Sequence, residues 1–206
     1  VVDDPDPWEA DTTKKSKTKP PIVVDRYKFK QDYEGYLGAQ RSHIHVFDVE
    51  SRKGQQITTG VFDESDPVWS PDGRRIAFVS KRGEDPDRTE DYNVWVVDAV
   101  PGAAVRQLTT FEGEDGGSLA WSPDGRWIAY LQAGAPKYYA YQMNRLAIVP
   151  AAGGAGRLIT DKLDRSVGDP AWTADGSAIV VTVEDGRTRY AARVRVSDGA
   201  IKPLTG

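Results

Sequence analysis

Cysteine is absent from this 206-residue sequence, histidine occurs only as His43 and His45, and methionine only as Met143. Without cysteine there are no disulfides, no thiolate metal sites and no cysteine nucleophile. The compartment nonetheless stays open, with a cytoplasmic setting favoured, because many secreted proteins lack cysteine too. No stretch reaches the roughly 18 to 20 continuous apolar residues of a membrane span, and the start has no basic-then-apolar signal pattern. A concentrated basic face is missing as well. Lys and Arg total 27 against 31 Asp and Glu, giving a net charge of −4 and a pI near 5.3. Neither nucleic acid nor a membrane is therefore an expected partner. With Val1 at its head and its single methionine at position 143, the sequence reads as an excerpt of a longer protein.

What is present is repetition. Three segments align: Asp66-Pro-Val-Trp-Ser-Pro-Asp-Gly-Arg-Arg-Ile-Ala-Phe-Val-Ser80, Ser118-Leu-Ala-Trp-Ser-Pro-Asp-Gly-Arg-Trp-Ile-Ala-Tyr-Leu131 and Asp169-Pro-Ala-Trp-Thr-Ala-Asp-Gly-Ser-Ala-Ile-Val-Val-Thr-Val183. Their tryptophans, Trp69, Trp121 and Trp172, lie 52 and 51 residues apart. Each repeat also carries an alternating apolar run and a closing apolar-Thr pair, ending at Thr58, Thr109, Thr160 and Thr205. In Ser-Pro-Asp-Gly, Pro fixes φ at one turn position and Gly supplies the positive φ that follows, so each segment is a hairpin. The β-branched and aromatic residues on both sides suit strands buried between neighbouring sheets. Four short strands per period and no 3.6-residue spacing predict an all-β chain of four-stranded antiparallel β-propeller blades. About four blades of a larger propeller are expected, at approximately 22–60, 61–110, 111–160 and 161–206. The first is irregular, with strands at 22–30, 43–49 and 55–58 and no Trp-Ser-Pro-Asp-Gly hairpin. Residues 1–21 have almost no apolar side chains and read as an extended or disordered segment.

Turns of a meandering blade alternate between its two ends. The connections between second and third strands share one face, and they are long in three blades (31–42, 81–92, 132–144) and short in the fourth (184–189). Six of the nine tyrosines fall there: Tyr33, Tyr36, Tyr92, Tyr138, Tyr139 and Tyr141. Tyrosine joins a large contact area to a polar tip, so these six are the candidates for facing a partner or substrate; the alternative is that they pack on their own blades.

Catalytic and cofactor chemistry finds little support. In a Gly-x-Ser-x-Gly elbow the histidine follows the serine in the chain, and no histidine follows His45. The segment Gly116-Gly-Ser-Leu-Ala120 fails at its last glycine and leads into a strand. No catalytic residue is assigned. His43 and His45, two apart on a predicted strand, point to one face, but a third ligand is not evident, so packing is the expected role and no metal is assigned. The acidic loop Glu84-Asp-Pro-Asp87 with Glu90-Asp91 lacks calcium-loop spacing and reads as solvated. No cofactor is expected.

The Trp-Ser-Pro-Asp-Gly-Arg-x-Ile-Ala-Phe/Tyr hairpins resemble the repeats shared by the translocation protein TolB and the propellers of prolyl oligopeptidase-type serine peptidases. The stretch from Ile22 to Leu37, followed by Gln40-Arg-Ser-His-Ile-His-Val-Phe-Asp-Val49, resembles the acylaminoacyl-peptidase and dipeptidyl-aminopeptidase branch. The resemblance covers nearly the whole chain from Ile22 onward. It implies a seven- or eight-bladed propeller over an α/β-hydrolase domain, the two enclosing a cavity that admits short peptides. The family's Ser, Asp and His lie in that domain, so none transfers to a position here. The expected partners are thus the hydrolase domain and remaining blades of the same polypeptide, and short peptides. The competing expectation is a TolB-like interaction scaffold. A partial ring would also leave apolar blade sides uncovered, from which self-association is expected.

Overall fold

The computed structural model describes Val2–Asp3, Val24, residues 26–32 and residues 35–205, and within that span the side chains of Tyr138, Tyr139 and Ala140 lie outside what is described. Most of the segment expected to be extended or disordered, 1–21, lies outside the described residues. Its described part, β1 (Val2–Asp3), pairs with β4 (Ser42–His43).

Between them, β2 (Lys30–Gln31) and β3 (Gly35–Tyr36) form a small hairpin, and β5 (His45–Asp48) pairs with β6 (Lys53–Gln56). The sequence suggests a strand running to Lys30; residues 26–28 instead form a bend. The cause is a long-range contact. The Arg26 guanidinium grips the Asp87 carboxylate through Nε (2.8 Å) and an NH2 group (2.7 Å), and the Lys28 N–H donates to the same carboxylate at 3.3 Å.

Three antiparallel four-stranded meanders follow. The first comprises β7 (Glu64–Trp69), β8 (Arg75–Ser80), β9 (Asn93–Asp98) and β10 (Arg106–Gln107). The second comprises β11 (Asp115–Trp121), β12 (Trp127–Gln132), β13 (Arg145–Pro150) and β14 (Arg157–Leu158), and the third β15 (Val167–Trp172), β16 (Ala178–Asp185), β17 (Thr188–Arg195) and β18 (Ile201–Pro203). These are propeller blades, called here the second, third and fourth after the irregular strands that precede them. Among the described residues helix is confined to two 3-10 turns, Pro86–Arg88 and Pro136–Tyr141. Among the described residues no helix is long and apolar enough to cross a membrane.

The hairpins owe their shape to a repeated side-chain clasp. Ser70 Oγ donates to Asp72 Oδ1 (2.5 Å) and accepts from the Arg75 N–H (2.9 Å). Ser122 does the same with Asp124 (2.6 Å) and Trp127 (2.9 Å). In the departing repeat, Thr173 keeps the hydroxyl, bonding Asp175 (2.6 Å) and the Ala178 N–H (3.1 Å). The glycine that follows has φ +67 in all three turns, a conformation in which a Cβ would be strained.

Strand alternation sends successive residues to opposite faces, and the apolar core accordingly lies between sheets. Ala77 and Val79 of β8 pack with Leu119, Trp121, Ile128 and Tyr130 of the third blade, whereas Ile76 and Phe78 pack back against Ile44 and Ile57. Ala129 and Leu131 of β12 likewise meet Ile179, Val181 and Val183 of the fourth. Both faces of a blade are therefore buried, which explains the near-continuous apolar runs in the middle strands.

Candidate functional site

A cleft of about 1080 Å³ opens on the long-loop face, between residues 26–42 and the second blade. Tyr27, Tyr36 and Tyr92 contribute to its wall, with Phe62 and Val61 beside them and charge supplied by Arg26, Lys28, Arg41, Lys81, Arg88, Asp63, Glu64, Glu84, Asp85 and Asp87. Tyr36 is 55% exposed and stacks on Phe29, ring centroids 6.4 Å apart. Lys81 Nζ sits 4.7 Å over the Tyr92 ring and the Arg88 guanidinium 4.3 Å over that of Tyr27. Such cation–π contacts hold the ring faces. Burial pushes the Lys81 ammonium below its usual value, and the Arg26 hydrogen bonds hold the Asp87 carboxyl below the usual carboxylate range.

Behind Glu64, which lines the cleft, lies a buried polar cluster. Glu64, 2% exposed, accepts from the Thr58 hydroxyl, the Ile44 N–H (3.3 Å) and an Arg82 NH2 group, and His43 Nδ1 lies 3.3 Å from its Oε2. The Arg82 guanidinium is enclosed by Phe62, Phe78 and Trp95, at 5.3, 5.6 and 5.2 Å from their ring centres. His43 and His45 do not share one strand: the ladder breaks at Ile44, His43 is buried against Glu64, and His45 is half-buried in β5. Among the described residues no group of three or more His, Asp or Glu side chains converges as a metal site. The acidic loop is not simply solvated. Asp87 binds Arg26, Asp85 pairs with Arg88 at 2.9 Å, and Asp91 accepts from Asn93 at 2.8 Å.

Of the six tyrosines singled out from the sequence, Tyr36 and Tyr92 meet in this one cleft, from loops of different blades. Tyr141, 87% exposed, ends the Pro136–Tyr141 turn and is not part of the cleft wall. Tyr33, and the side chains of Tyr138 and Tyr139, lie outside the described residues. Sequence reasoning passes over Tyr27, Lys81 and Arg88. The signal available is the density of alternating basic and aromatic residues from Arg26 to Lys30, a pattern that suits an exposed strand equally well.

No family model matches the chain. Curated relatives are peptidases. An uncharacterized peptidase, YuxL, of Bacillus subtilis is 30% identical over 131 residues, 62% of this chain and 18% of that protein. Dipeptidyl-peptidase 5 of Aspergillus fumigatus is 30% identical over 144 residues, 61% of this chain and 19% of that protein. The chain thus spans about a fifth of the length of the curated relatives it matches. Among solved structures, the acylaminoacyl peptidase of Pyrococcus horikoshii superposes with a TM-score of 0.64 at 16% identity, over 94% of this chain and 29% of that one. TolB of Acinetobacter baumannii gives 0.57 at 19% identity, over 79% and 37%. The fold is that of the propeller blades in these neighbours.

Proposed function

We propose that the chain is the propeller portion of a serine peptidase of the acylaminoacyl or dipeptidyl type, gating and positioning short peptides for an α/β-hydrolase domain elsewhere on the same polypeptide. The observation that carries this reading is the meeting of Tyr36 and Tyr92 in one cleft on the long-loop face. Aromatic walls with hydroxyl tips and nearby charges of both signs suit an extended peptide, whose backbone needs donors and acceptors and whose side chains need area. The peptidase names of the curated relatives support the substrate class.

In this reading the division into a leading segment, 1–21, and blades at 22–60, 61–110, 111–160 and 161–206 continues into further blades that close the ring. Tyr33, Tyr138, Tyr139 and Tyr141 belong with Tyr36 and Tyr92 to the substrate-facing rim. The competing assignment, an interaction scaffold of the TolB type, would use the same cleft for a segment of a protein partner. Assay of the full-length gene product on acylated and dipeptide-capped chromogenic peptides, with Tyr36→Ala and Tyr92→Ala beside it, separates the two. Peptidase activity with KM raised in both variants supports the gated peptidase. A full-length product without activity, lacking an elbow serine, leaves the scaffold.

A further inference from the structure

A second cleft, of about 410 Å³, lies between the outer strand of the second blade and the face of the third. Its wall includes Thr109, Phe111, Asp115, Tyr130, Gln132 and the turn at 154–158. Asp115 is fully buried, and its carboxylate is incompletely satisfied. Oδ1 accepts from Gln132 Nε2 at 2.7 Å, and the Thr109 hydroxyl and the Phe111 N–H stand close enough to favour the charged carboxylate, while Oδ2 has no hydrogen-bond partner. A buried acceptor left open is destabilising, more so when charged, so the open oxygen calls for a reason.

Asp115 pairs across its sheet with Gln132, as Glu64 pairs with Ser80, so the two acids occupy the same blade position. Two residues beyond Ser80 stands Arg82, whose guanidinium meets Glu64. Two residues beyond Gln132 stands Gly134, which offers no cation. Arg157, although on the cleft wall, sends an NH2 group to the Val196 carbonyl of the fourth blade at 2.7 Å. In the fourth blade the corresponding residue is Val167, paired with Val183, and no acid needs a partner. The third blade thus keeps the anion of this position without the second blade's arginine.

The rest of the cleft suits a small cation on an apolar stem. A Cβ built on Gly156 would stand 2.9 Å from the Tyr130 hydroxyl, so glycine there leaves room for the phenol. Phe111 and Tyr130 provide aromatic surface for an alkyl stem and for a cation held near their rings. We propose that this interblade cleft is a binding site for an alkylammonium group, which donates to Asp115 Oδ2 with its stem along Phe111 and Tyr130. Desolvation has raised the Asp115 carboxyl to about 6, the expected consequence of burying it without a cation, and an ammonium would relieve that cost. The source is either a free small amine or a lysine side chain.

The test is NMR of the protein labelled with 13C at its aspartate carboxyls, titrated at pH 7 with propylammonium and separately with N-acetyl-lysine methylamide, against propanol and tetramethylammonium. The expected result is a saturable shift of the Asp115 carboxyl with at least one of the two amines and with neither control. Binding should weaken about tenfold or more in Asp115→Asn, followed through the Tyr130 ring signals. Gly156→Ala, whose methyl group meets the Tyr130 hydroxyl, should weaken it independently should the asparagine variant fold poorly. Which amine binds identifies the source. No saturable shift with either, or equal shifts from the N–H-free controls, overturns the proposal.

Discussion

The indole N–H of Trp172 donates to the Ala120 carbonyl at 3.1 Å, one residue before the tryptophan of the preceding blade. Trp121 repeats the relationship, donating to Val68 at 3.2 Å, one residue before Trp69. At the outer edge an arginine does the matching work: Arg106 reaches the Ala151 carbonyl (2.8 Å) and Arg157 that of Val196 (2.7 Å). Consecutive blades are therefore joined at both rims by donors to main-chain carbonyls, with the apolar core between them. A carbonyl acceptor does not depend on the neighbour's side chain, so the same joint works between repeats of different sequence.

Trp121→Phe should cost about 1–2 kcal/mol in chemical denaturation, through the lost hydrogen bond and reduced burial, and Trp121→Ala about 3–5 kcal/mol. Trp69 is 49% exposed, and Trp69→Phe should cost clearly less. Equal losses at the two positions would show that the interblade joint does not carry the difference.

Glu64 and Arg82 form the buried pair beneath the larger cleft, with side-chain exposures of 0% and 13%. Removing one partner leaves the other charge in a site it cannot occupy cheaply. Arg82→Met should therefore destabilise by about 3–5 kcal/mol, whereas Glu64→Leu combined with Arg82→Met should recover a large part of that loss. A thermal-denaturation double-mutant cycle reads the coupling, and additive single effects would contradict it.

Asp115 gives a pH dependence of unusual sign for a carboxylate. Its folded value, about 6, lies above the ordinary 3.8, so between those values the folded state holds more protons than the unfolded one. The contribution of Asp115 to stability should accordingly be fully present below about pH 4, fall as pH rises through 6, and level off above it, a loss of about 3 kcal/mol for this group. Asp115→Asn should remove that component from the pH profile of urea unfolding. A wild-type profile that the substitution does not flatten would refute the assignment.

The blades were legible because their signals are local. Pro, Asp and Gly set each hairpin within four residues, and Thr173 could replace serine in the fourth blade because the turn requires a hydroxyl, not a particular carbon skeleton. The candidate cleft was legible only in part. Tyr36 and Tyr92 were reachable from loop length and composition, but the wall that joins them depends on Arg26 meeting Asp87 across 61 positions of sequence. No local pattern encodes that distance. The burial of Glu64 was hidden for a related reason: an acid at the first position of a strand looks solvated until His43, Thr58 and Arg82 are brought around it.

The hydroxyl clasp in the hairpins can be weighed at Ser122, which is 2% exposed. Its Oγ donates to Asp124 and holds that carboxyl down to about 2, while accepting from the Trp127 N–H. Ser122→Ala should cost about 1 kcal/mol, and Ser122→Thr, which copies the hydroxyl of Thr173, should recover most of it in the same unfolding assay. An alanine variant as stable as the parent would mean that Pro and Gly suffice for the turn.

The clamp between Arg26 and Asp87 decides whether the larger cleft keeps its outer wall. Its side chains are 13% and 14% exposed, and Asp87 also receives the Lys28 N–H, so one carboxylate holds both ends of the bend. Because the folded Asp87 carboxyl lies below 3.8, the clamp's stabilisation is fully present above that pH and is lost as pH falls through the folded value. Asp87→Asn should mimic the acid state at neutral pH. It keeps a single neutral acceptor in place of a charge-assisted fork, and the Lys28 amide should exchange with solvent about tenfold faster, with little change at the hairpin amides of the fourth blade. Unchanged exchange at Lys28 would mean that the bend is held by other contacts, such as the stacking of Arg88 on Tyr27, and the cleft would then keep its wall without the ion pair.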